Sequence, residues 1–161
     1  MICPLEFRYG RKEMKYLFTE ERRLQFLLDV ESALAQAQAR YNNISKKDAQ
    51  IVAEKASTKF VTIERVKEIE KDTKHDVMAL VKALAEQCGK AGRVVHLGAT
   101  SSDIIDTATA LQLKEVFKII EQDLINLKNS ILRLVEEHKS TIMLGRTHGQ
   151  AALPITFGLK K

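Results

Sequence analysis

The sequence predicts an all-α protein in which several helices of ordinary length are followed by one long helix that packs in a helical bundle. Three observations carry this prediction. The 161 residues include only two prolines and seven glycines, several apolar segments are preceded by residues that favour helix starts, and apolar residues within those segments recur every three or four positions. Apolar residues make up 45% and charged residues 29%, which excludes disordered, collagen-like and low-complexity classes.

Residues 1–95 are predicted to contain several helices of ordinary length. The predicted helix starts and approximate ends are, in order, Thr19 and Arg40, Ser45 and Ala56, and Thr62 and Lys71. A further helix follows the polar segment 72–76 and ends at Gly89. His75 and Asp76 fall at its first turn, where the helix dipole favours a neutral imidazole and the N–H groups face outward. The alternative is that Asp76 only caps the helix and His75 is a surface residue.

Residues 96–161 begin with a loop that leads into a long helix reaching about His138. Gly98 frees the loop backbone, and the four residues Thr100, Ser101, Ser102 and Asp103 are types that cap a helix start. With His96 just upstream, this start would suit a carboxylate or a phosphate. A well-capped helix without a ligand is the alternative.

An apolar seam with heptad spacing follows this cap. Its members are Leu113, Phe117, Ile120, Leu124, Leu127, Ile131 and Leu134. A helix over residues 103–138 would be roughly 54 Å long at about 1.5 Å per residue, whereas a domain of this chain length has a radius of gyration of about 15 Å. We therefore expect helices from outside the domain to cover the seam, either because the chain is incomplete or because it assembles with copies of itself.

The charge pattern and the cysteines narrow the class of protein. The formal net charge is +5, but lysine and arginine are interleaved with 21 acidic residues, which favours anionic small molecules over nucleic acid as partners. Cys3 and Cys88 match no metal or redox spacing, and neither a signal peptide nor a run of about 18 apolar residues occurs. We expect a soluble, cytoplasmic protein without a membrane partner.

A histidine in a glycine-containing loop is the strongest catalytic candidate. The segment Gly145-Arg-Thr-His-Gly-Gln150 places His148 between two glycines, beside a threonine and an arginine. Glycine lets the backbone approach a ligand, and an imidazole titrates near neutral pH, so His148 is a candidate general acid or base. Pro154 then allows a helix to start around Thr156.

Three motifs together resemble the adenylosuccinate lyases of the fumarase/aspartase superfamily. They are Thr73-Lys-His-Asp-Val77, His96-Leu-Gly-Ala-Thr-Ser-Ser-Asp-Ile-Ile-Asp-Thr107 and Gly145-Arg-Thr-His-Gly-Gln-Ala-Ala-Leu-Pro-Ile-Thr-Phe-Gly158, with Arg8-Tyr9 as a fourth, shorter match. The resemblance implies an L-aspartase/fumarase-like fold and elimination of fumarate from adenylosuccinate, giving AMP, and from the succinyl-carboxamide ribotide of purine biosynthesis.

The resemblance also implies roles for individual residues. His148 is the general acid, with Thr147 beside it, and Thr100 and Ser101 bind a substrate carboxylate. His75, a second catalytic candidate, belongs to the set that holds the phosphate and ribose: Arg8, Tyr9, Lys74, His75 and Asp76. His96 supports the site, and Arg23 is a weaker supporting candidate. No metal or organic cofactor is expected, since the histidine spacings form no helical ligand pair.

The chain also departs from the pattern of this family. The family's base is a serine on a mobile loop, Ser-Ser-x-Met-Pro-x-Lys-x-Asn, which these 161 residues do not contain. Family members are homotetramers whose active sites combine three subunits. We therefore interpret the chain as an N-terminal portion that lacks turnover by itself. The resemblance implies that residues 1–95 form the N-terminal helical domain and that residues 96–161 form the truncated start of the central helical-bundle domain. Argininosuccinate lyase, a cycloisomerase of the superfamily and a non-catalytic helical binding or assembly module remain alternatives.

Overall fold

The computed structural model describes residues 9–160, and most of them are helical. The helices are α1 (Lys12–Leu17), α2 (Glu20–Arg40), α3 (Lys46–Lys55), α4 (Ile63–Thr73), α5 (Asp76–Cys88), a 3-10 helix (Gly89–Val94), α6 (Ser101–Glu137) and α7 (Phe157–Lys160). Two strands, β1 (Ile142–Thr147) and β2 (Gln150–Thr156), lie between α6 and α7. The predicted all-α class is confirmed, with one two-stranded sheet as its exception.

The predicted helix starts are formed by side-chain caps. The hydroxyls of Thr19, Ser45 and Thr62 accept hydrogen bonds from the backbone N–H groups three residues later. Each bond satisfies a donor that has no partner within the helix. Local sequence therefore decides where α2, α3 and α4 begin.

The chain divides into two compact units between Val116 and Phe117. In the first unit, the core is built from apolar side chains of α2, α3, α5 and the segment after α3. Its most deeply buried members include Leu28, Val52, Val61, Leu80 and Leu84. A second cluster joins Phe26 and Val30 of α2 to Ile104 and Ala108 of α6. Helix α2 thus supports both the core and the first turns of the long helix. The predicted division into domains at residues 95 and 96 stays a prediction.

The apolar seam of α6 is exposed beyond the first unit. Val116 is buried, whereas Phe117 is 63%, Leu124 60% and Leu127 55% exposed. A row of large apolar side chains in water is unfavourable, so the surface favours a partner. The expectation that other helices cover it stays a prediction.

The second unit contains a β-hairpin where the sequence predicted a loop. The strands are antiparallel, with Ile142 opposite Thr156 and Thr147 opposite Gln150. The turn residues His148 and Gly149 have φ values of +50° and +75°, a combination that suits a two-residue hairpin turn. Most strand residues are exposed, so no apolar alternation marked them as strands. The last helix begins at Phe157, one residue after its predicted start.

Gly145 explains how the two strands approach each other. A Cβ atom at this position would lie 2.6 Å from the carbonyl oxygen of Leu153 on β2. The regular pairing shifts between Leu144 and Arg146, next to this glycine. Only a residue without a side chain fits this irregularity. Within residues 9–160, no helix is both long enough and apolar enough to cross a membrane.

Candidate active site

Two helix starts that are distant in sequence meet at the candidate site. His75 caps α5, and its Nδ1 accepts a hydrogen bond of 3.3 Å from the backbone N–H of Met78. The Nε2 atom of the same ring lies 3.5 Å from the hydroxyl oxygen of Ser101, the first residue of α6. Because Nδ1 accepts, a neutral His75 ring carries its proton on Nε2 and presents a donor. The fold therefore brings together two of the predicted site residues.

Lys74 and Asp76 lie on either side of His75. Lys74 closes α4 in the left-handed region, with φ +54°, and its N–H donates to the carbonyl of Glu70. The Asp76 carboxylate accepts a 2.8 Å bond from the N–H of Val77. The N-cap of α5 is thus His75 and not Asp76, whereas His75 is exposed, as the same alternative expected. The sharp joint between α4 and α5 exposes all three side chains on one short segment.

The start of α6 is held by a carboxylate that reaches backward. Asp103 Oδ2 accepts a 2.9 Å hydrogen bond from the backbone N–H of Thr100, and the N–H of Asp103 donates to the carbonyl of Thr100. Of the four residues predicted to cap α6, Asp103 is the one whose side chain accepts this backbone hydrogen bond. The hydroxyl of Ser101 is directed to His75 instead, at the N-terminal end where the helix dipole favours an anion.

His96 contacts a buried carboxylate that sequence reasoning missed. Its Nδ1 lies 2.6 Å from Oε1 of Glu31 in α2, whose side chain is fully buried. Burial raises the pKa of Glu31, and the hydrogen bond and charge of His96 partly offset that rise. The signal was present in the sequence, because Glu31 shares the helix face of Leu24, Leu28 and Ala35 at core spacing. An acidic residue at such a position indicates a buried, partnered carboxylate.

Backbone strain is concentrated at the predicted site residues. Between residues 9 and 160, four non-glycine residues have positive φ. Three of them, Lys74, His96 and His148, are predicted site residues, and Asn42 is the fourth. Such conformations persist only where the surrounding structure holds them, and they cluster at functional sites.

Arg23 and Asp76 line one cavity of about 210 Å³ in the first unit. Its floor is apolar, with Leu24, Leu27 and Leu80 among the lining residues, and Glu20 and Lys67 form an ion pair at its edge. A cavity with an apolar floor and a few charged groups is typical of a small-molecule site. Arg23, the weaker supporting candidate, lies at this cavity, and its role stays a prediction.

Thr147 and His148 belong to the second unit, at the tip of the hairpin. The Thr147 hydroxyl oxygen lies 2.9 Å from Nδ1 of His148, and both residues are exposed. This contact orients the ring and leaves Nε2 for a ligand.

The remaining predicted site residues, Arg8 and Tyr9, precede α1 in the sequence. Arg8 lies outside the described residues, and Tyr9 is 67% exposed. Across residues 9–160, no group of three or more histidine, cysteine, aspartate or glutamate side chains is arranged to hold a metal ion. The first unit can therefore bind a ligand through imidazoles, hydroxyls, a carboxylate and helix N-termini. These groups suit an anionic molecule that carries hydroxyls.

Comparison with known proteins agrees with this chemistry. Residues 6–160 match the Lyase family. The chain belongs to the Lyase family. The lyase chain is 53% identical over 159 residues to the adenylosuccinate lyase of Pyrococcus horikoshii and 52% identical over 160 residues to that of Methanocaldococcus jannaschii. It is 44% identical over 153 residues to the Bacillus subtilis enzyme of the same name. These alignments confirm the resemblance drawn from the motifs.

The relatives are much longer than this lyase chain. The alignments cover 99%, 99% and 95% of the chain, in the same order, but only 35% of each relative. Among solved structures, a fumarate lyase from Mesorhizobium sp. BNC1 has a TM-score of 0.86 and 35% identity, covering 94% of the chain and 37% of that structure. The 3-carboxy-cis,cis-muconate lactonizing enzyme of Pseudomonas putida has a TM-score of 0.89 and 30% identity, covering 98% and 36%. The predicted fold is confirmed.

Proposed function

We propose that the full-length gene product is an adenylosuccinate lyase. It cleaves the C–N bond of adenylosuccinate to give fumarate and AMP, and cleaves the succinyl-carboxamide ribotide of purine biosynthesis in the same way. The observation that carries the proposal is the 53% identity to an adenylosuccinate lyase across 99% of the chain. The convergence of His75 and Ser101 at two helix starts supports it, because adenylosuccinate carries both carboxylates and a phosphate.

The elimination needs two kinds of group that this chain can supply. Removing a proton from the carbon beside a carboxylate places extra negative charge on that carboxylate, and preorganised donors lower this barrier. Thr100 and Ser101, at the start of α6, are the proposed donors. The departing nitrogen must gain a proton, and we assign His148 as the acid, with Thr147 orienting its ring.

The nucleotide part of the substrate would be held by residues near the joint between α4 and α5. The set is Arg8, Tyr9, Lys74, His75 and Asp76, with His96 supporting it and Arg23 as an additional cation. Lys74 is a compact positive charge suited to phosphate, and the Asp76 carboxylate can accept from ribose hydroxyls. The base is assigned to a serine loop that residues 1–161 do not contain, so these residues alone should lack turnover.

The proposed active form is a cytoplasmic homotetramer in which other helices cover the exposed seam of α6. The exposure of Phe117, Leu124 and Leu127 supports burial against further helices. Neither nucleic acid nor a membrane is a proposed partner, since lysine and arginine are interleaved with 21 acidic residues and the sequence has no run of about 18 apolar residues.

The decisive experiment is a substrate comparison with the full-length gene product. Release of fumarate is measured by absorbance with adenylosuccinate and argininosuccinate as separate substrates, and 3-carboxy-cis,cis-muconate is tested for lactonization. We expect turnover of adenylosuccinate alone. Turnover of argininosuccinate or the muconate would assign another activity of the superfamily. No turnover, together with no binding of AMP, would favour the non-catalytic helical binding or assembly module, which would use the same helix starts structurally.

A further inference from the structure

We propose that Glu31 is a positioning residue that holds a neutral His96 in the tautomer protonated on Nδ1, which leaves Nε2 as a hydrogen-bond acceptor. This inference rests on the proposed function, because it assumes that His96 belongs to a substrate-binding site. Glu31 belongs to α2 and lies 65 positions before His96 in sequence. None of the roles assigned above uses it.

The contact between Glu31 and His96 is short, and the Glu31 side chain is fully buried. Glu31 Oε1 and His96 Nδ1 are 2.6 Å apart, and the exposed fractions of their side chains are 0% and 15%. Within the described part of the chain, the other carboxylate oxygen, Oε2, is buried without a hydrogen-bond partner. His96 is therefore the residue that stabilises this carboxylate, chiefly through its ring and to a smaller extent through its backbone N–H, and losing the ring contact would leave the carboxylate largely uncompensated.

The proton between Glu31 Oε1 and His96 Nδ1 is bound to the imidazole nitrogen. At pH values above the raised pKa of Glu31, its carboxylate is ionised and can only accept hydrogen bonds. His96 therefore donates from Nδ1, which leaves the lone pair of a neutral ring on Nε2. Without a hydrogen-bond partner at Nδ1, nothing would select this tautomer of the ring. Glu31 is therefore the residue that selects it.

Helix α2 also fixes the loop that carries His96. Gln38, two turns after Glu31 on the same face, donates a 2.9 Å hydrogen bond from its amide to the carbonyl of Leu97. His96 has φ +62° and Gly98 φ +73°, so the loop makes a tight corner directly before Thr100. Because two side chains of one rigid helix hold residues 96 and 97, the ring orientation and the start of α6 are set together.

His75 and His96 thereby present opposite polarities. His75 accepts at Nδ1 from Met78 and keeps its proton on Nε2, whereas His96 donates at Nδ1 to Glu31. One ring offers a donor to substrate oxygen and the other an acceptor to a hydroxyl or N–H group. A substrate with both phosphate oxygens and ribose hydroxyls matches this pair.

The test combines a spectroscopic readout with kinetics in the full-length gene product. Side-chain 15N NMR of histidine-labelled protein, assigned with His96→Gln, reports which ring nitrogen is protonated. We expect His96 protonated on Nδ1 in the wild type and on Nε2 in Glu31→Leu. Glu31→Gln should keep the wild-type tautomer, because its amide oxygen can still accept from Nδ1.

The same variants separate positioning from simple stability. Glu31→Leu should lower kcat/KM for adenylosuccinate by about 10- to 100-fold, the effect of a lost charge-assisted hydrogen bond, and Glu31→Gln should restore most of it. Gln112→Leu is the matched control, since Gln112 is also a buried polar residue of the first unit and donates to the carbonyl of Leu17. It should lower stability without changing the His96 tautomer or kcat/KM.

Two results would overturn the inference. One is a wild-type His96 protonated only on Nε2, which decides the matter even if Glu31→Leu does not fold. The other is an unchanged tautomer and kcat/KM in a folded Glu31→Leu protein. A wild-type enzyme without lyase activity would instead refute the proposed function, and the tautomer would still be read independently.

Discussion

Nε2 of His75 lies 3.5 Å from the hydroxyl of Ser101, although 26 positions separate the two residues in sequence. The same imidazole caps α5 through Nδ1. One side chain therefore has a structural contact on one nitrogen and a contact with the candidate site on the other. The two roles can be separated by substitution.

His75→Asn is expected to keep the fold and lose activity. Asparagine is among the best N-cap residues, so the free energy of unfolding should stay within about 0.5 kcal/mol of the wild type, whereas His75→Ala should lose about 1 kcal/mol. Both variants lack the Nε2 donor and should turn over adenylosuccinate more slowly. Urea titration and fumarate release measure the two effects. Full turnover by His75→Asn would rule out a catalytic or binding role for His75.

His148→Gln should remove the proposed acid and leave substrate binding largely intact. A positioned general acid contributes about 10²–10⁴ in rate, so kcat of the full-length gene product should fall by that order. Isothermal titration with adenylosuccinate would report the affinity, which should change little. His138→Gln is a suitable control, because His138 contacts Thr141 and Phe157 at the base of the hairpin. An unchanged kcat in His148→Gln would refute its role as the acid.

Leu124→Glu should weaken self-association. Leu124 is 60% exposed on the α6 seam, and a carboxylate there would have to lose its water in any helical interface. Sedimentation velocity of the full-length gene product should show a shift from tetramer to smaller species. Asn129→Glu makes the same charge change at an exposed position of α6 outside the seam and should leave the assembly intact. Equal behaviour of the two variants would exclude the seam as an interface.

Gly92→Ala should destabilise the first unit. A Cβ atom at Gly92 would lie 2.5 Å from the backbone oxygen of Ala85 in α5, and a backbone atom cannot move aside as a flexible side chain can. We expect a loss of about 1–3 kcal/mol in unfolding free energy, measured by urea titration. Gly149→Asn is the comparison, since nothing lies within 4 Å of its Cβ and asparagine tolerates positive φ. It should cost far less.

The buried Glu31 should give the protein a characteristic pH dependence. Burial raises the pKa of this carboxyl in the folded state above its ordinary value of 4.5. Between the unfolded and folded pKa values the native state binds more protons than the unfolded state, so the contribution of Glu31 to stability falls as pH rises through that window. Glu31→Gln cannot titrate and should lack this slope. Urea titrations at a series of pH values from 4 upward, on both proteins, measure the difference, and parallel curves would contradict a raised pKa.

Helix boundaries and candidate residues could be predicted from the sequence because they depend on local chemistry. Thr19, Ser45 and Thr62 cap the helices predicted to start there, and the left-handed residue Gly98 lies in the predicted loop before α6. The motifs around His75, His96 and His148 identified the family. Each of these signals lies within a few consecutive residues, where capping, turn geometry and apolar spacing act.

The tertiary structure alone decided which of those residues meet. His75 reaches Ser101, and His96 reaches Glu31, only because α2, α5 and α6 pack together in the first unit. The hairpin at residues 142–156 also escaped prediction, because its mostly exposed strands have no apolar alternation and its pairing joins residues up to 14 positions apart. Contacts between distant segments follow from packing of the whole chain, and no local pattern of residue types specifies them.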